Sequence, residues 1–431
     1  MRAFFKHIVV TILTFISKCI LRRHNPYVIA VTGSVGKTST KDAIYTVLKN
    51  TGSVRKSDKS FNSELGVPLS IIGAKSGWNN PLSWLGVVWK GIGQIFLSKG
   101  KYPKTLVLEV GADRPGDIST IAKWIRPHIV VITRLPDVPV HIEFFPTLDS
   151  LIEEKLSLAS GLRKEGTLVL NADDPRVFAA KERFRARTVT FGMSDGADIK
   201  GSNMQFLEPG DGTPGGLAFK LDFDGKSLPV VMPNIYSEGF MTVGLAALTV
   251  AYVKEANMVT AIEDLATYET PPGRVHLIAG IKDSVLIDDT YNSSPAACES
   301  GLHMLGAIPF GKRKIAVIGD MLELGKHTID AHKEVGKLAF EIADILVTVG
   351  LRAKTCAEAA REEGMSAKKV FEFDDAISTG EFLSKNIKSG DVLYIKGSQG
   401  VRLEKAVKML MAHPEAAGDL LVRQEEIWGH K

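Results

Sequence analysis

The chain has 431 residues, 45% of them hydrophobic and 24% charged, with 53 Lys and Arg against 49 Asp and Glu. That length predicts two or three domains of an ordinary soluble globular protein. A formal charge of +4, with no long basic tract interleaved with aromatics, argues against nucleic acid as a partner, and three scattered cysteines (Cys19, Cys298, Cys356) give neither a disulfide framework nor a zinc spacing, as expected of a cytoplasmic chain.

The N-terminus carries a 14-residue apolar stretch, Ile8 to Leu21, broken by Lys18 and followed by Arg22-Arg23. A membrane span needs about 20 apolar residues, and no small-residue cleavage site follows. Two expectations stay open for residues 1–26. One is a helix packed on the globular body; the other is a helix lying peripherally at the inner face of the membrane, its arginines on anionic lipid.

The run YVIA leads into VTGSVGKTST, residues 31–40, and then into the helical pattern KDAIYTVLKN. Gly-Lys-Thr between a strand and a helix is the arrangement in which backbone N–H groups cradle a phosphate. Lys37 would add a point charge and Thr38 a hydroxyl for Mg²⁺. Val31 stands where the common pattern has its first Gly, so a plain tight turn is the alternative. Further on, Trp84, Val88, Ile92, Ile95 and Phe96 recur near helical spacing, with Lys90, Lys99, Lys101 and Lys104 around them. Such a stripe predicts a core-facing helix; paired with the basic N-terminal segment it also allows membrane contact.

Apolar runs then alternate with helical patterns: TLVLEVGA, DISTIAKWI, HIVVITRL, LDSLIEEKLSLASGL, TLVLNADD and RTVTFG. That alternation predicts a parallel sheet covered on both faces. Residues 195–232, rich in Gly, Asp and Pro, read as a β-rich insertion, and GFMTVGLAALTVAYVKEA as a buried helix. TYETPPGRVH has the punctuation of a linker, placing a domain boundary near residue 273. A second α/β alternation follows in SVLIDDTYN, KIAVIGDM, DILVTVG and DVLYIKGS.

Open α/β sheets bind ligands at the carboxyl ends of their strands. Glu109 ends an otherwise apolar strand, where a second metal ligand beside a phosphate loop is needed. His141, Lys155, Asn171, Asp288 and Asp289 follow other strands. Each has a plainer alternative: a solvated strand end for Glu109, a loop residue for His141, a surface charge beside Glu153 and Glu154 for Lys155.

The stretches TGSVGKTST, NSELGVPLS, LEVGADRPGDI, HIEFFPTLDSLIEEKLSLA, LNADDP, PPGRVH, IDDTYNSSPAA, VIGDMLELG with His332 downstream, and YIKGSQG run in order from about Val28 to Leu410. With them the sequence resembles the Mur ligase family, most closely the branch that adds D-alanyl-D-alanine to a muramyl peptide. Its loop is TGxxGK[TS], so Val31 is no departure. The resemblance implies a P-loop central ATPase domain on a parallel sheet (27–272) and a C-terminal Rossmann-like α/β domain (273–431). It also implies an ADP-forming amide ligase of peptidoglycan precursor synthesis: ATP phosphorylates a carboxylate acceptor, and an amine displaces the phosphate.

By the same resemblance Gly33, Ser34, Gly36, Lys37, Thr38 and Ser39 hold the phosphates. Thr38 and Glu109 hold one Mg²⁺, and His141 a second with a carbamylated Lys155. Arg274 reaches the γ-phosphate, Asp289 the ribose and Asn171 the adenine side. Asn62, Glu64 and Asn292 face the substrate, and Lys396 and Ser398 the incoming amine. Two departures stand out. The family's UDP-gripping N-terminal domain has no counterpart in residues 1–26, and its His-Asn ahead of the long central helix is Gly239-Phe240 here. Rival readings are a ligase of the same architecture for another acceptor, such as a polyglutamate or another cell-wall peptide, and a membrane-docked ATP-binding scaffold.

Overall fold

Strands apolar along their whole length need cover on both faces, and the fold supplies it. The computed structural model describes residues 2–58, 62–77, 80–98, 100–112, 114–135, 144–210 and 215–424. Helix α1 (Arg2–His24) precedes β1 (Tyr27–Thr32), α2 (Lys37–Leu48), β2 (Val54–Lys56), α3 (Gly66–Ile72) and α4 (Pro81–Phe96). Next come β3 (Thr105–Glu109), α5 (Asp117–Ile125), β4 (Ile129–Ile132), α6 (Leu148–Leu156), β5 (Thr167–Asn171), α7 (Pro175–Ala179) and β6 (Arg187–Gly192). Three longer strands, β7 (Ile199–Leu207), β8 (Gly216–Phe223) and β9 (Lys226–Pro233), lead to α8 (Gly239–Val253) and α9 (Met258–Leu265).

All nine strands form one sheet in the order β2-β3-β1-β4-β5-β6-β7-β8-β9. Pairing is parallel from β2 to β7 and antiparallel from β7 to β9. The segment expected as an insertion therefore extends the sheet itself, because β7 continues the ladder of β6. Alternation along the strands sends Val28, Ala30, Leu106 and Leu108 into one core with α1, α3, α4 and α5. Ile29, Val31 and Val107 enter the other, against α2 and α8. Each such Val, Leu or Ile side chain contributes about 1.5–3 kcal/mol on burial. Helix α8 is buried on nearly every side, as its unbroken apolar sequence predicts.

Helix α1 buries Val9, Leu13, Ile16 and Ile20 against the body, so packing is realised on that face. A Cβ on Gly91 of α4 would come within 2.7 Å of the Ile16 side chain, which is how closely the two helices approach. An adjoining face of α1 is exposed at Phe5, Ile8, Ile12 and Phe15. On α4 the expected core stripe splits: Trp84 is buried, whereas Phe96 is 80% exposed and turns outward with Leu82, Leu85 and Trp89. At 100° per residue Phe96 lies about 120° around the helix from Trp84, outside the buried stripe. Among the described residues, no helix is long and apolar enough to cross a membrane.

The second sheet is built from β10 (His276–Ala279), β11 (Val285–Asp289), β12 (Arg313–Gly319), β13 (Ile345–Val349), β14 (Val370–Phe373) and β15 (Asp391–Lys396). Its order is β10-β11-β15-β12-β13-β14, all parallel except β10. Helices α10 (Pro295–Ala307), α11 (Thr328–Ile342) and α12 (Lys354–Glu362) cover one face, and α13 (Ala376–Asn386) and α14 (Glu404–Leu410) the other; α15 (Ala417–Leu420) closes the described chain. Residues just beyond β1, β11 and β15, and Glu109 at the end of β3, open into a single cleft between the two sheets.

Candidate active site

The loop after β1 is held open by backbone geometry. Gly33 has φ 140° and Gly36 φ 82°, both in the region that favours glycine. A Cβ on Gly33 would meet Thr133 Oγ1 at 2.0 Å, so only glycine lets the loop pass β4 there. Ser34 N–H donates to Arg134 O at 2.8 Å and the Thr133 hydroxyl to Val35 O at 2.7 Å, fastening the loop to the residues after β4. Helix α2 then starts at Lys37 with no side-chain cap, so its first N–H groups face the cleft with Ser34, Lys37, Thr38 and Ser39. Lys37 Nζ lies 3.3 Å from Ser34 O, folded back over the loop. A helix N-terminus, an ammonium and three hydroxyls in one place form a phosphate cradle.

Glu109 sits beside this loop because β3 pairs with β1 and its register partner is Val31. Its carboxylate is buried, with Oε1 accepting from Asn62 Nδ2 at 3.2 Å and Oε2 3.8 Å from Lys41 Nζ. Among the described residues no hydrogen-bond donor reaches Oε2. A buried carboxylate oxygen left this way, a few residues across from the Thr38 hydroxyl, suits a hard divalent cation. Among the described residues there is no cluster of three His, Cys, Asp or Glu side chains. Mg²⁺ needs only one or two carboxylates and usually keeps oxygens from water and substrate phosphates.

The facing wall comes from the second sheet. Gly273, at φ 71°, donates its N–H to Asp288 Oδ2 at 3.1 Å and so sets the direction in which Arg274 leaves the chain. The Arg274 guanidinium stacks over Tyr291 at 4.2 Å and lines the cleft, its buried Nε without a hydrogen-bond partner among the described residues. Asp288 is buried, and burial pushes its carboxyl up to about 6 although the Thr290 hydroxyl donates to it at 2.6 Å. Asp289 pairs in register with Lys396 of β15, and Lys396 Nζ lies 2.7 Å from Asp289 Oδ2. The Tyr394 hydroxyl donates to the same oxygen at 3.0 Å, and Lys396 also donates to Asn292 O at 2.9 Å.

Between the walls, Phe240 and Val243 of α8 face Val275, Ala297 and Gly301 in a cavity of about 330 Å³, with Ser237 and Ser300 among its lining. Phe240 packs on Tyr268, ring centroids 6.1 Å apart. A cavity with apolar side chains beside a phosphate cradle and an Arg has the chemistry of a nucleotide site.

The cleft brings together Ser34, Gly36, Lys37, Thr38, Ser39, Asn62, Glu109, Arg274, Asp289, Asn292 and Lys396. Other expected residues lie away from its lining. Gly33 is beneath the loop. Asn171 is buried at the end of β5, its side chain accepting from Asp173 N–H at 2.9 Å. Glu64 is at the surface, paired with Lys6 at 2.9 Å, and Ser398 is buried, accepting from Leu322 N–H at 2.9 Å. Lys155 is no surface charge: α6 buries it, while Glu154 accepts the N–H groups of Gly116, Ile118 and Ser119 at the start of α5. His141 and Lys99 lie outside the described residues.

Sequence reasoning missed Val243, Val275, Tyr291, Ser300 and Gln399 in the lining, since nothing in their type marks them. It also missed Arg423, which reaches back from the C-terminal end to donate to Thr290 O at 3.2 Å and to stack on Tyr291 at 5.4 Å. His332, singled out after VIGDMLELG, is buried behind the sheet. Its Nδ1 faces Thr328 O at 2.6 Å and its Nε2 accepts from Met321 N–H at 3.0 Å, the pattern of a neutral imidazole.

Residues 91–226 match the family profile of the Mur ligase middle domain, and residues 273–399 that of the Mur ligase glutamate ligase domain. The chain is 25% identical over 405 residues to the UDP-N-acetylmuramoyl-tripeptide–D-alanyl-D-alanine ligase of Bacillus subtilis, covering 94% of this chain and 80% of that one. It is 29% identical over 387 residues to the protein of the same name from Synechocystis, covering 89% and 74%. Among solved structures, the MurF ligase of Thermotoga maritima in complex with ADP superposes with a TM-score of 0.75 at 27% identity, over 94% of this chain and 84% of that one. A MurF structure from Acinetobacter baumannii gives the same score at 22% identity, over 92% and 79%, a likeness of fold.

Proposed function

The chain belongs to the Mur ligase family, and we propose that it is an ATP-dependent, ADP-forming ligase joining an amine to a peptide carboxylate. By likeness to its relatives, the acceptor is a muramyl-peptide-like carboxylate of peptidoglycan precursor synthesis and the amine is D-alanyl-D-alanine or a close analogue. We divide the chain at residue 273 into an ATPase domain and a C-terminal domain. The supporting observation is the cleft in which Lys37, Thr38 and Glu109 of one face Arg274 and Asp289 of the other.

On this reading the N–H groups opening α2 and the Lys37 ammonium bind the β- and γ-phosphates, and Arg274 binds the γ-phosphate from the opposite wall. The acceptor carboxylate oxygen attacks the γ-phosphorus, the bond to the β–γ bridging oxygen breaks, and ADP leaves. These fixed cations stabilise charge that builds on the transferring group, which is most of what this step requires. The amine nitrogen then attacks the acyl carbon, a proton leaves the nitrogen, and the C–O bond to phosphate breaks to give the amide. Thr38 and Glu109 would hold Mg²⁺, which supplies further charge neutralisation at the phosphates. A second ion held by His141 and a carbamylated Lys155 completes the proposal. Asp289, tied by Lys396, is left one carboxylate oxygen for ribose hydroxyls. With Asn171 outside the lining, Phe240 and Val243 offer the adenine a face.

The enzyme's place on this reading is the cytoplasm, where nucleotide and soluble precursors are found. The test is a substrate screen. Purified protein with ATP and Mg²⁺ is offered UDP-linked and lipid-linked muramyl peptides, and separately a polyglutamate acceptor, with several amino acids and dipeptides, and products are read by mass. Phosphate release that needs both acceptor and dipeptide, with a product heavier by the dipeptide less water, is the expected result. ATP binding without amide product under every pairing would leave a scaffold; product with a polyglutamate acceptor instead would move the enzyme within its family.

A further inference from the structure

Two adjacent helices turn apolar stripes away from the protein. On α1, Phe5, Ile8, Ile12 and Phe15 recur at three- and four-residue steps along one outward face, at 40 to 67% exposure. On α4, Leu82, Leu85, Trp89 and Phe96 do the same at 57 to 80%. The helices are locked side by side, with Gly91 against Ile16 and His24 Nε2 2.8 Å from Gln94 O. Both already satisfy the core with their other faces, through Leu13, Ile16 and Ile20 on α1 and Trp84 and Val87 on α4. Eight large apolar side chains on two neighbouring helices exceed the scattered exposure that a soluble surface normally shows.

Charge identifies the occupant. Residues 1–26 and 80–104 together hold nine of the 53 Lys and Arg and none of the 49 Asp and Glu, so the rest of the chain is net acidic although the whole carries +4. Lys18, Arg22 and Arg23 are exposed at the C-terminal end of α1, and Lys101 and Lys104 in the segment after α4. Where these segments meet, Arg23, His24 and Lys104 line a pocket with Asn25 and Tyr102. The Arg23 and Lys104 side chains give that pocket the chemistry of a phosphate-ester site next to the apolar stripes. Aromatic and aliphatic side chains outward, cations at the border and no acid anywhere in the two segments is the composition of a helix pair lying in an anionic bilayer interface.

We propose that α1 and α4 form a docking surface for an anionic membrane, with Phe15, Trp89 and Phe96 entering the acyl boundary and Arg22, Arg23 and Lys104 on headgroup phosphates. The bound state is reversible and peripheral, since neither helix spans. The inference stands apart from the ligase chemistry and is measured without ATP.

The experiment is flotation of the full chain with vesicles of phosphatidylcholine alone or of phosphatidylcholine with phosphatidylglycerol. Wild type floats with the anionic vesicles and at least about tenfold less with the neutral ones, and added salt releases it. A triple variant, Phe15→Ser with Trp89→Ser and Phe96→Ser, changes only exposed side chains and keeps the wild-type melting temperature. It loses flotation, and Arg22→Glu with Arg23→Glu does the same through charge. Wild type that stays soluble with anionic vesicles overturns the proposal, as does equal flotation of the triple variant. Sedimentation showing a dimer that the triple variant breaks, with no flotation, assigns the surface to a second copy of the chain instead.

Discussion

Asp289 and Lys396 stand opposite each other on neighbouring parallel strands, and the ammonium lies 2.7 Å from the carboxylate with both side chains buried. Each neutralises the other where water does not reach. Lys396→Met leaves Asp289 with the Tyr394 hydroxyl alone and is expected to destabilise the protein by about 3–5 kcal/mol. Replacing both, as Asp289→Leu with Lys396→Met, recovers most of that loss. Urea unfolding of the three proteins checks this, and equal midpoints for wild type and Lys396→Met would mean that the pair contributes nothing.

Lys37→Ala is expected to lower ATP-dependent turnover at least about a hundredfold, because the transferring phosphoryl group loses its nearest cation. The loop stays in place, since Gly33, Thr133 and Arg134 fasten it without the lysine side chain. Phosphate release and melting temperature measured together separate the two effects; an unchanged rate rejects the phosphate assignment.

Lys155 provides a test of the carbamate. Lys155→Ala is expected to be nearly inactive and partly restored by acetate or another small carboxylate, which fills the oxygen position that a carbamate would hold. Its burial predicts some loss of stability as well, so the rescue is the informative measurement. Full activity of Lys155→Ala without any carboxylate ends the proposal for both Lys155 and His141.

The phosphate cradle and Arg274 lie on opposite walls of one cleft. Binding at both walls is expected to hold the domains together. Small-angle scattering with a non-hydrolysable ATP analogue and acceptor should show compaction, reduced in Arg274→Ala; identical profiles throughout mean that the cleft is already closed.

His128 gives a pH signature independent of catalysis. Its Nδ1 accepts from Val28 N–H at 2.9 Å and its ring stacks on Tyr27 at 4.3 Å. Burial first, then Arg163 and Lys254 nearby, bring its pKa down from 6.5 to about 4. A depressed value in the folded state means that the stability it contributes is complete above 6.5 and is lost as pH falls from there through about 4. His128→Asn, which keeps an acceptor for Val28, should flatten that part of the stability–pH curve. NMR titration of the His128 ring with a midpoint near the ordinary value would contradict the assignment.

The central strands were legible because TLVLE and YVIAVT are apolar throughout, and the phosphate loop because glycines and a lysine punctuate a strand–helix junction. Strands β2, β10 and β14 were not, being three or four residues long at or near sheet edges and half-exposed. Phe96 lies off the core stripe because its helical phase sets it about 120° from Trp84, and apolarity alone does not say which face a helix buries. Glu109 was identified as a strand end; its orientation by Asn62, forty-seven residues earlier, depends on a meeting that only the folded chain creates. The same holds for Lys396, whose YIKGS context suggested a substrate contact. Register across β11 and β15 instead turns most of its charge onto Asp289. Arg423 lies outside every motif and reaches the site through tertiary packing alone.

Strand β15 is inserted between β11 and β12, although about a hundred residues separate it from β11 in the chain. During synthesis, β11 and β12 are therefore made long before the strand that joins them, each with an unpaired edge awaiting it. The C-terminal domain can hold its sheet, and Asp289 its counter-ion, only once residue 396 has left the ribosome. A prematurely terminated chain would carry a complete phosphate loop but no finished opposite wall. The late strand thus makes a two-walled cleft a property of full-length molecules, and leaves truncated ones with open β-edges that proteases and chaperones can recognise.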